Sequence, residues 1–156
     1  MSIVAWRIVK RRLARAAFDG EGARRYGGRW NSKGVAVVYL AQSQSLAALE
    51  ILVHLDSPQL LEHYVAIPVY IDSNMIVRIE ASSLPKNWAA YPPPKSIRAI
   101  GDAWVAAATS AVLQVPSVIV PFEDNFLLNP HHPDFPKLQI GKPVSFKFDP
   151  RLTSEL

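Results

Sequence analysis

Apolar and polar positions change over short distances along most of this chain, and two longer stretches carry helical spacing instead. Residues 3–9 read as a first strand with Arg7 embedded in it. Residues 11–18 read as a short helix or a continued excursion, and residues 19–25 as a glycine-containing loop. In residues 35–40, Val35, Val37 and Tyr39 face one way and Ala36, Val38 and Leu40 the other. Both faces are apolar, which predicts a central strand. Ser43 or Ser45 then caps a helix running to residue 55, with Leu46, Leu49, Leu52 and Val53 as its apolar stripe. Asp56-Ser57-Pro58 ends it, because proline disfavours helix in the residue before it. Residues 59–63 form a short linker.

Residues 64–71 predict a strand, with Pro68 placing it at an edge or a bulge. Residues 75–79 predict another short strand, and residues 81–94 a proline-rich surface loop whose Trp88 packs on the body. A second helix is expected over residues 97–113, with Trp104 and Val105 as its bulky members. Residues 115–122 read as a strand bounded by Pro116 and Pro121, and residues 123–136 as a loop of turn formers. Residues 144–149 alternate Val144, Phe146 and Phe148 with polar positions, the pattern of a half-buried strand. Strands outnumber helices without regular alternation, which favours an α+β fold. No repeat, low-complexity tract or interior linker divides the chain, so residues 1–156 are expected to form one domain.

Composition narrows the chemistry. With 49% hydrophobic residues the chain has ample material for a packed interior. It has no cysteine, which excludes disulfides and thiolate metal sites and fits a reducing compartment. No signal peptide is visible, and no apolar run reaches the ~18 residues of a membrane span. The expectation is a soluble, cytoplasmic protein. The net charge of +4 suits an anionic partner. It is uneven, since residues 7–33 hold nine arginines and lysines against Asp19 and Glu21 alone. No aromatic ladder or nucleic-acid-binding signature accompanies that basic stretch, which favours a phosphate-bearing small molecule over a polymer.

The stretch Gly27-Gly28-Arg29-Trp30-Asn31-Ser32-Lys33-Gly34 leads into the central strand and then the Glu50 helix. It spaces Arg29, Tyr39 and Glu50 at about equal intervals in a mostly apolar setting. The paired glycines provide close backbone approach or a turn with positive φ. Burying Glu50 without a partner is costly. Its ordinary reading is a solvated face or a structural ion pair, yet Ala47, Ala48, Ile51 and Val53 leave little polar face around it. His54, four residues on, shares its face and is placed to orient the carboxylate. The other histidines, His63, His131 and His132, have no spacing specific for a metal, and His131-His132 reads as a loop pair. There is no P-loop, no GxGxxG after a strand, no HExxH, and no Gly-x-Ser-x-Gly elbow around Ser117. Ser117 reads as a strand-edge serine bonded to backbone, and Asn129, before Pro130, as a turn initiator.

Several blocks together resemble the RES domain family, the toxins of RES–Xre toxin–antitoxin pairs. They are residues 22–34 with Gly-Gly-Arg-Trp-Asn at their centre, Val38-Tyr39-Leu40, Ala47-Ala48-Leu49-Glu50, Val115-Pro116-Ser117 and Asn125-Phe126-Leu127-Leu128-Asn129-Pro130. The resemblance spans nearly the whole chain in order. It implies an ADP-ribosyltransferase-like fold, a small split and twisted sheet with a few helices, and consumption of NAD⁺ as substrate with no bound cofactor or metal. It places the family arginine at Arg29, the tyrosine at Tyr39, the glutamate at Glu50 and the serine at Ser117, with Arg7 and Asn129 as additional NAD⁺-binding residues. Glu50, Arg29 and Tyr39 are the expected catalytic set. The implied partner is an Xre-like helix-turn-helix antitoxin covering the site, and a homodimer within a larger toxin–antitoxin complex is the expected assembly. The rival expectation is a basic, RNA-cleaving toxin using Arg11, Arg12 and Arg15 on phosphate and His131 or His132 as acid and base.

Overall fold

The computed structural model describes residues 1–54 and 63–152, so the expected helix stop at Asp56-Ser57-Pro58 and most of the linker after it lie outside the described residues. Within them the fold is α+β. The strands are β1 (Ser2–Lys10), β2 (Val38–Ala41), β3 (Tyr64–Asp72), β4 (Ile76–Arg78), β5 (Val112–Pro116), β6 (Asp124–Leu128), β7 (Gln139–Ile140) and β8 (Val144–Phe146). They form one sheet in the order β4-β5-β6-β2-β1-β3-β7, with β8 also paired to β3. The helices are α1 (Glu21–Tyr26), α2 (Gln44–Leu52) and α3 (Lys95–Ala107).

The sheet has a seam. β1 and β3 pair along nine positions, but β1 and β2 share the single register pair Trp6↔Ala41. Two half-sheets therefore meet at one point. One face carries Ala5, Val38, Leu40, Val69, Ile71, Phe126 and Leu128 in a common core. On the other face α3 sets Ile97 and Trp104 against Leu113, Val115 and Leu127. There α2 sets Leu46, Ala47 and Ala48 against Ile8, Ala41, Tyr64 and Ala66, from strands on both sides of the seam.

Several expectations shift, each for a local reason. Residues 21–26 are helical, not loop: Asp19 accepts the Glu21 N–H at 2.9 Å, and Glu21 pairs with Arg24 and Arg25 one turn on. β2 starts at Val38 because the backbone before it is held elsewhere, with Val35 donating to Ser32 O and accepting from Asn31. α2 buries Leu46, Ala47 and Ala48 and leaves Leu49 and Val53 exposed. The small alanines let it lie close on the sheet, so the buried face keeps Leu46 and, in part, Leu52 of the expected stripe but is rotated toward Ala47 and Ala48 and away from Leu49 and Val53.

The second helix stops at Ala107. Ala108 takes a left-handed conformation (φ 48°), and Val112 and Leu113 pair in β5 instead. Residues 117–122 are a turn, not a strand, as the Ser117 hydroxyl accepts the Ile119 and Val120 N–H groups. Residues 124–128, expected as loop, form β6, held between β2 and β5; pairing on both sides overrides the turn-forming Asp124 and Asn125. Pro68 does not mark an edge strand. It lies where the outer neighbour of β3 changes from β8 to β7, a place that asks for no N–H donor.

α3 lies directly on the loop before β2. A Cβ at Gly101 would stand 1.7 Å from the Trp30 carbonyl oxygen. Gly101→Ala is therefore expected to lower stability by about 1–3 kcal/mol. Gly22→Ala, on α1 with nothing within 4 Å of the added carbon, is expected to raise it by about 0.5–1 kcal/mol. Thermal melts of both variants check the pair.

Candidate active site

The site is assembled where β2 and β6 run side by side in the middle of the sheet. In their register Tyr39 faces Leu127 and Ala41 faces Asn125. Tyr39 and Asn125 are thus diagonal neighbours on one face, the face that the helices cover. α2 begins just after β2, with Ser43 capping it by accepting the Leu46 N–H at 3.1 Å. That start sets the phase of the helix and brings Glu50 over Asn125. The Asn125 amide donates to Leu40 O at 3.2 Å and stands beside the Glu50 carboxylate. Burial pushes the Glu50 pKa above its ordinary value; the nearby Asn125 amide and the charges of His54 and Arg29 oppose this.

Arg29 comes from the loop between α1 and β2. Gly27 turns the chain with φ 72°. Gly28 has no room for a side chain, because a Cβ there would stand 2.7 Å from the Tyr39 hydroxyl. Both glycine roles expected from the paired residues are therefore present. The Nη1 of Arg29 donates to the carbonyls of Trp88 at 3.1 Å and Ala90 at 3.0 Å, which ties the proline-rich loop to the site. Nε and Nη2 make no bond among the described residues. Partial burial lowers the Arg29 pKa, while Glu50, Tyr39 and Tyr91 raise it. Arg29, Glu50 and Tyr39 thus share one electrostatic neighbourhood.

The Tyr39 ring packs beside the cluster built on Trp30 and Trp104. Its hydroxyl donates to Asn31 Oδ1 at 2.6 Å and accepts the Trp30 N–H at 3.1 Å. Burial holds its pKa far above the usual phenol value. Arg7 lies at the seam. Its Nη1 donates to Tyr39 O at 3.0 Å, just past the single pair joining β1 to β2, and its Nε donates to Ala17 O at 2.6 Å. Burial lowers its pKa to about 10, so it remains charged at neutral pH. Among the described residues neither Arg7 nor Arg29 has a carboxylate within 4.0 Å.

Ser117 is buried and follows β5, continuing the Leu113–Val115 row on the Asn125 side of the sheet. Its oxygen accepts two backbone N–H groups, as a backbone-bonded serine would, and its own proton is left to donate. Asn129 is buried at the far end of β6. It accepts the His131 N–H at 3.0 Å and shapes the turn expected of an Asn before Pro. Among the described residues no hydrogen bond joins Asn129 to Glu50. In His132, Nδ1 accepts the Asp134 N–H, which leaves Nε2 to donate to Ala108 O. Both ring nitrogens are engaged in holding a turn, which counts against an acid–base role.

Two polar residues of the site went unnamed as candidates, Asn31 and Asn125. Both lie inside blocks singled out in the sequence, Gly-Gly-Arg-Trp-Asn and Asn125-Phe126-Leu127-Leu128-Asn129-Pro130. Two open depressions lie elsewhere on the protein. One of about 390 Å³ is bordered by Ile3, Gln42, Arg78 and Gln114, and one of about 420 Å³ by Arg15, Phe18 and Ile140. Neither is lined by Arg29, Tyr39 or Glu50. No helix among the described residues is long and apolar enough to cross a membrane.

Fold and site together define a mixed α+β domain that brings an arginine, a glutamate and a tyrosine into one electrostatic neighbourhood beside a central strand pair. A RES domain model matches residues 4–149, and the chain belongs to the RES domain family of toxins. It is 42% identical over 151 residues to "Toxin Res" of Yersinia enterocolitica, covering 96% of this chain and 99% of that one. It is 38% identical over 157 residues to the "Prs ADP-ribosylating toxin" of Sphingobium sp., covering 97% and 98%. The fold matches a chain of the M. tuberculosis MbcT–MbcA toxin–antitoxin complex with a TM-score of 0.78, at 18% identity, over 98% of this chain and 87% of that one.

The raised Glu50 pKa carries a stability consequence. A carboxyl whose folded pKa lies above its unfolded value costs stability once pH passes the unfolded value, and costs nothing when both states are protonated. Glu50→Gln is therefore expected to melt higher than the parent at pH 7, with the gain shrinking as pH falls through the raised folded pKa and gone below about 4.5. Paired melts across that range check it. A gain that grows on acidification would contradict the burial seen here.

Proposed function

We propose that this protein is a toxin that consumes NAD⁺ by breaking the bond between nicotinamide and ribose. The observation that carries the reading is the grouping of Arg29, Glu50 and Tyr39 at one place on the β2–β6 pair. A relative called an ADP-ribosylating toxin supports it.

The chemistry asks little of the protein beyond placement. Nicotinamide leaves with the electrons of the C–N bond, which neutralise its ring cation, so no acid is needed to protonate it. Positive charge develops on the ribose instead. Glu50 would stabilise that charge and hold a ribose hydroxyl, and Asn125 would keep the carboxylate aimed. Burial leaves the carboxylate less solvated than a surface glutamate, which raises its pKa and strengthens its pull on a nearby cation. Arg29 would grip the diphosphate with its uncommitted Nε and Nη2 donors, and Arg7 with its Nη2. The Tyr39 ring would form a wall for nicotinamide or the adjoining ribose. Ser117 would donate its remaining proton within the pocket, and Asn129 would act through the turn it holds.

The acceptor of the ADP-ribose names the reaction: water gives a glycohydrolase, phosphate a phosphorylase, a protein side chain a transferase. In the cell, loss of NAD⁺ would arrest growth until an Xre-like helix-turn-helix antitoxin covers the site. The fold match to a chain solved within a toxin–antitoxin complex supports such a partner.

Purified protein, freed of any bound partner, is expected to release nicotinamide from NAD⁺, followed by chromatography with and without phosphate. Folded Glu50→Gln and Arg29→Ala are each expected to lose about 10²-fold or more in kcat/KM. RNA decay without loss of NAD⁺ would sink the reading and favour a nuclease.

A further inference from the structure

The Asn31 side chain is fully buried, with 0% exposure. Its Nδ2 lies within hydrogen-bond range of three carbonyls, Ala23 O at 2.9 Å, Val35 O at 3.0 Å and Ser32 O at 3.2 Å. Three acceptors on one side fix which end of the amide is the NH₂. Oδ1 must then face Tyr39, and an amide oxygen can only accept. The phenol has one proton, so the 2.6 Å bond consumes it. The same hydroxyl oxygen accepts the Trp30 N–H at 3.1 Å.

This bond does work on the arginine. Arg29 stands between Gly28 and Trp30. The Gly28 N–H is bound to Asn31 O at 2.9 Å, and the Trp30 N–H to the Tyr39 hydroxyl. The peptide that follows Arg29 is thus held by the Asn31 side chain through the phenol, and the Gly27–Gly28 peptide, one unit before Arg29, by the Asn31 main-chain carbonyl. From outside, the loop is pinned by Asp102, which accepts the Ser32 N–H at 2.8 Å and its hydroxyl at 2.5 Å. No other side chain among the described residues reaches the Trp30 N–H.

We infer that Asn31 is a positioning residue that fixes Arg29 through the Tyr39 hydroxyl, and that this hydroxyl is spent on that bond and transfers no proton in the reaction. The inference deepens the NAD⁺-cleaving reading and rests on it. Tyr39 then serves the substrate in two separate ways: its ring as a wall, its oxygen as a clamp on the loop that carries Arg29. Loss of the clamp should loosen the grip on the diphosphate and leave the bond-breaking step largely in place.

Two measurements on the full chain test this, one of which needs no turnover. In the free protein, hydrogen exchange at the Trp30 amide is expected to speed up at least about tenfold in Tyr39→Phe and in Asn31→Ala, since each removes the acceptor or lets it swing. Unchanged exchange in Tyr39→Phe would overturn the clamp, whatever the enzymology. In NAD⁺ cleavage, Tyr39→Phe is expected to raise KM about tenfold, lower kcat by less than about threefold, and keep the alkaline side of the pH profile. A kcat loss of about 10²-fold at constant KM, or disappearance of the alkaline limb, would make the hydroxyl a proton carrier and end the proposal. Wild type inert toward NAD⁺ would instead refute the NAD⁺ reading itself, and with it the role in the reaction; the exchange rates would still report the clamp. If Asn31→Ala fails to fold, Tyr39→Phe decides both measurements alone.

Discussion

A single buried amide holds together the part of the chain on which the site depends. Asn31 bonds to the carbonyls of Ala23, Ser32 and Val35 and to the Tyr39 hydroxyl, so α1, the following loop and β2 share one node. Buried polar groups are expensive unless every donor and acceptor is engaged, and here no buried side-chain nitrogen or oxygen among the described residues lacks a partner. The node also explains why β2 is short. Residues that alternate like strand before Val38 have their backbone already committed to the loop.

The charged groups follow a different logic from the surface ion pairs. Glu21, Arg24, Asp149 and Arg151 are paired and exposed, where such pairs contribute little. Arg7 and Arg29 are more deeply placed and donate to main-chain carbonyls in place of carboxylates. Carbonyl oxygens hold a guanidinium in position without cancelling its charge. The protein thereby keeps two positioned cations in a partly desolvated setting, and Glu50 supplies negative charge near Arg29 at the expense of a raised pKa.

The central strand, the first strand, the Ser43 cap and the α+β class were legible in the sequence because each rests on a local rule: alternation, capping or period. The glycine pair was legible for the same reason, since both tight turning and close approach forbid a side chain. β6 was not legible. Asp124 and Asn125 look like turn residues, and only pairing with β2 and β5, one of them far away in the chain, makes them a strand. The face of α2 was misjudged because leucines outrank alanines in any apolar count, whereas close approach to Ala41 and Ala66 favours the smaller side chains. Arg29, Tyr39 and Glu50 were named from the blocks they occupy. The hydrogen bonds that fix Arg29 and Tyr39 were beyond reach, as they depend on how the proline-rich loop and the loop before β2 fold back on the sheet.

The one-pair seam between β1 and β2 gives α2 an unusual mechanical place. Its alanine face rests on Ala41 from one half-sheet and on Ile8 and Ala66 from the other, like a splint across a joint. Glu50 rides on that splint, whereas Asn125 belongs wholly to one side. Any hinge-like opening between the halves would therefore be felt first as a change in how the carboxylate meets the amide, long before either core is disturbed.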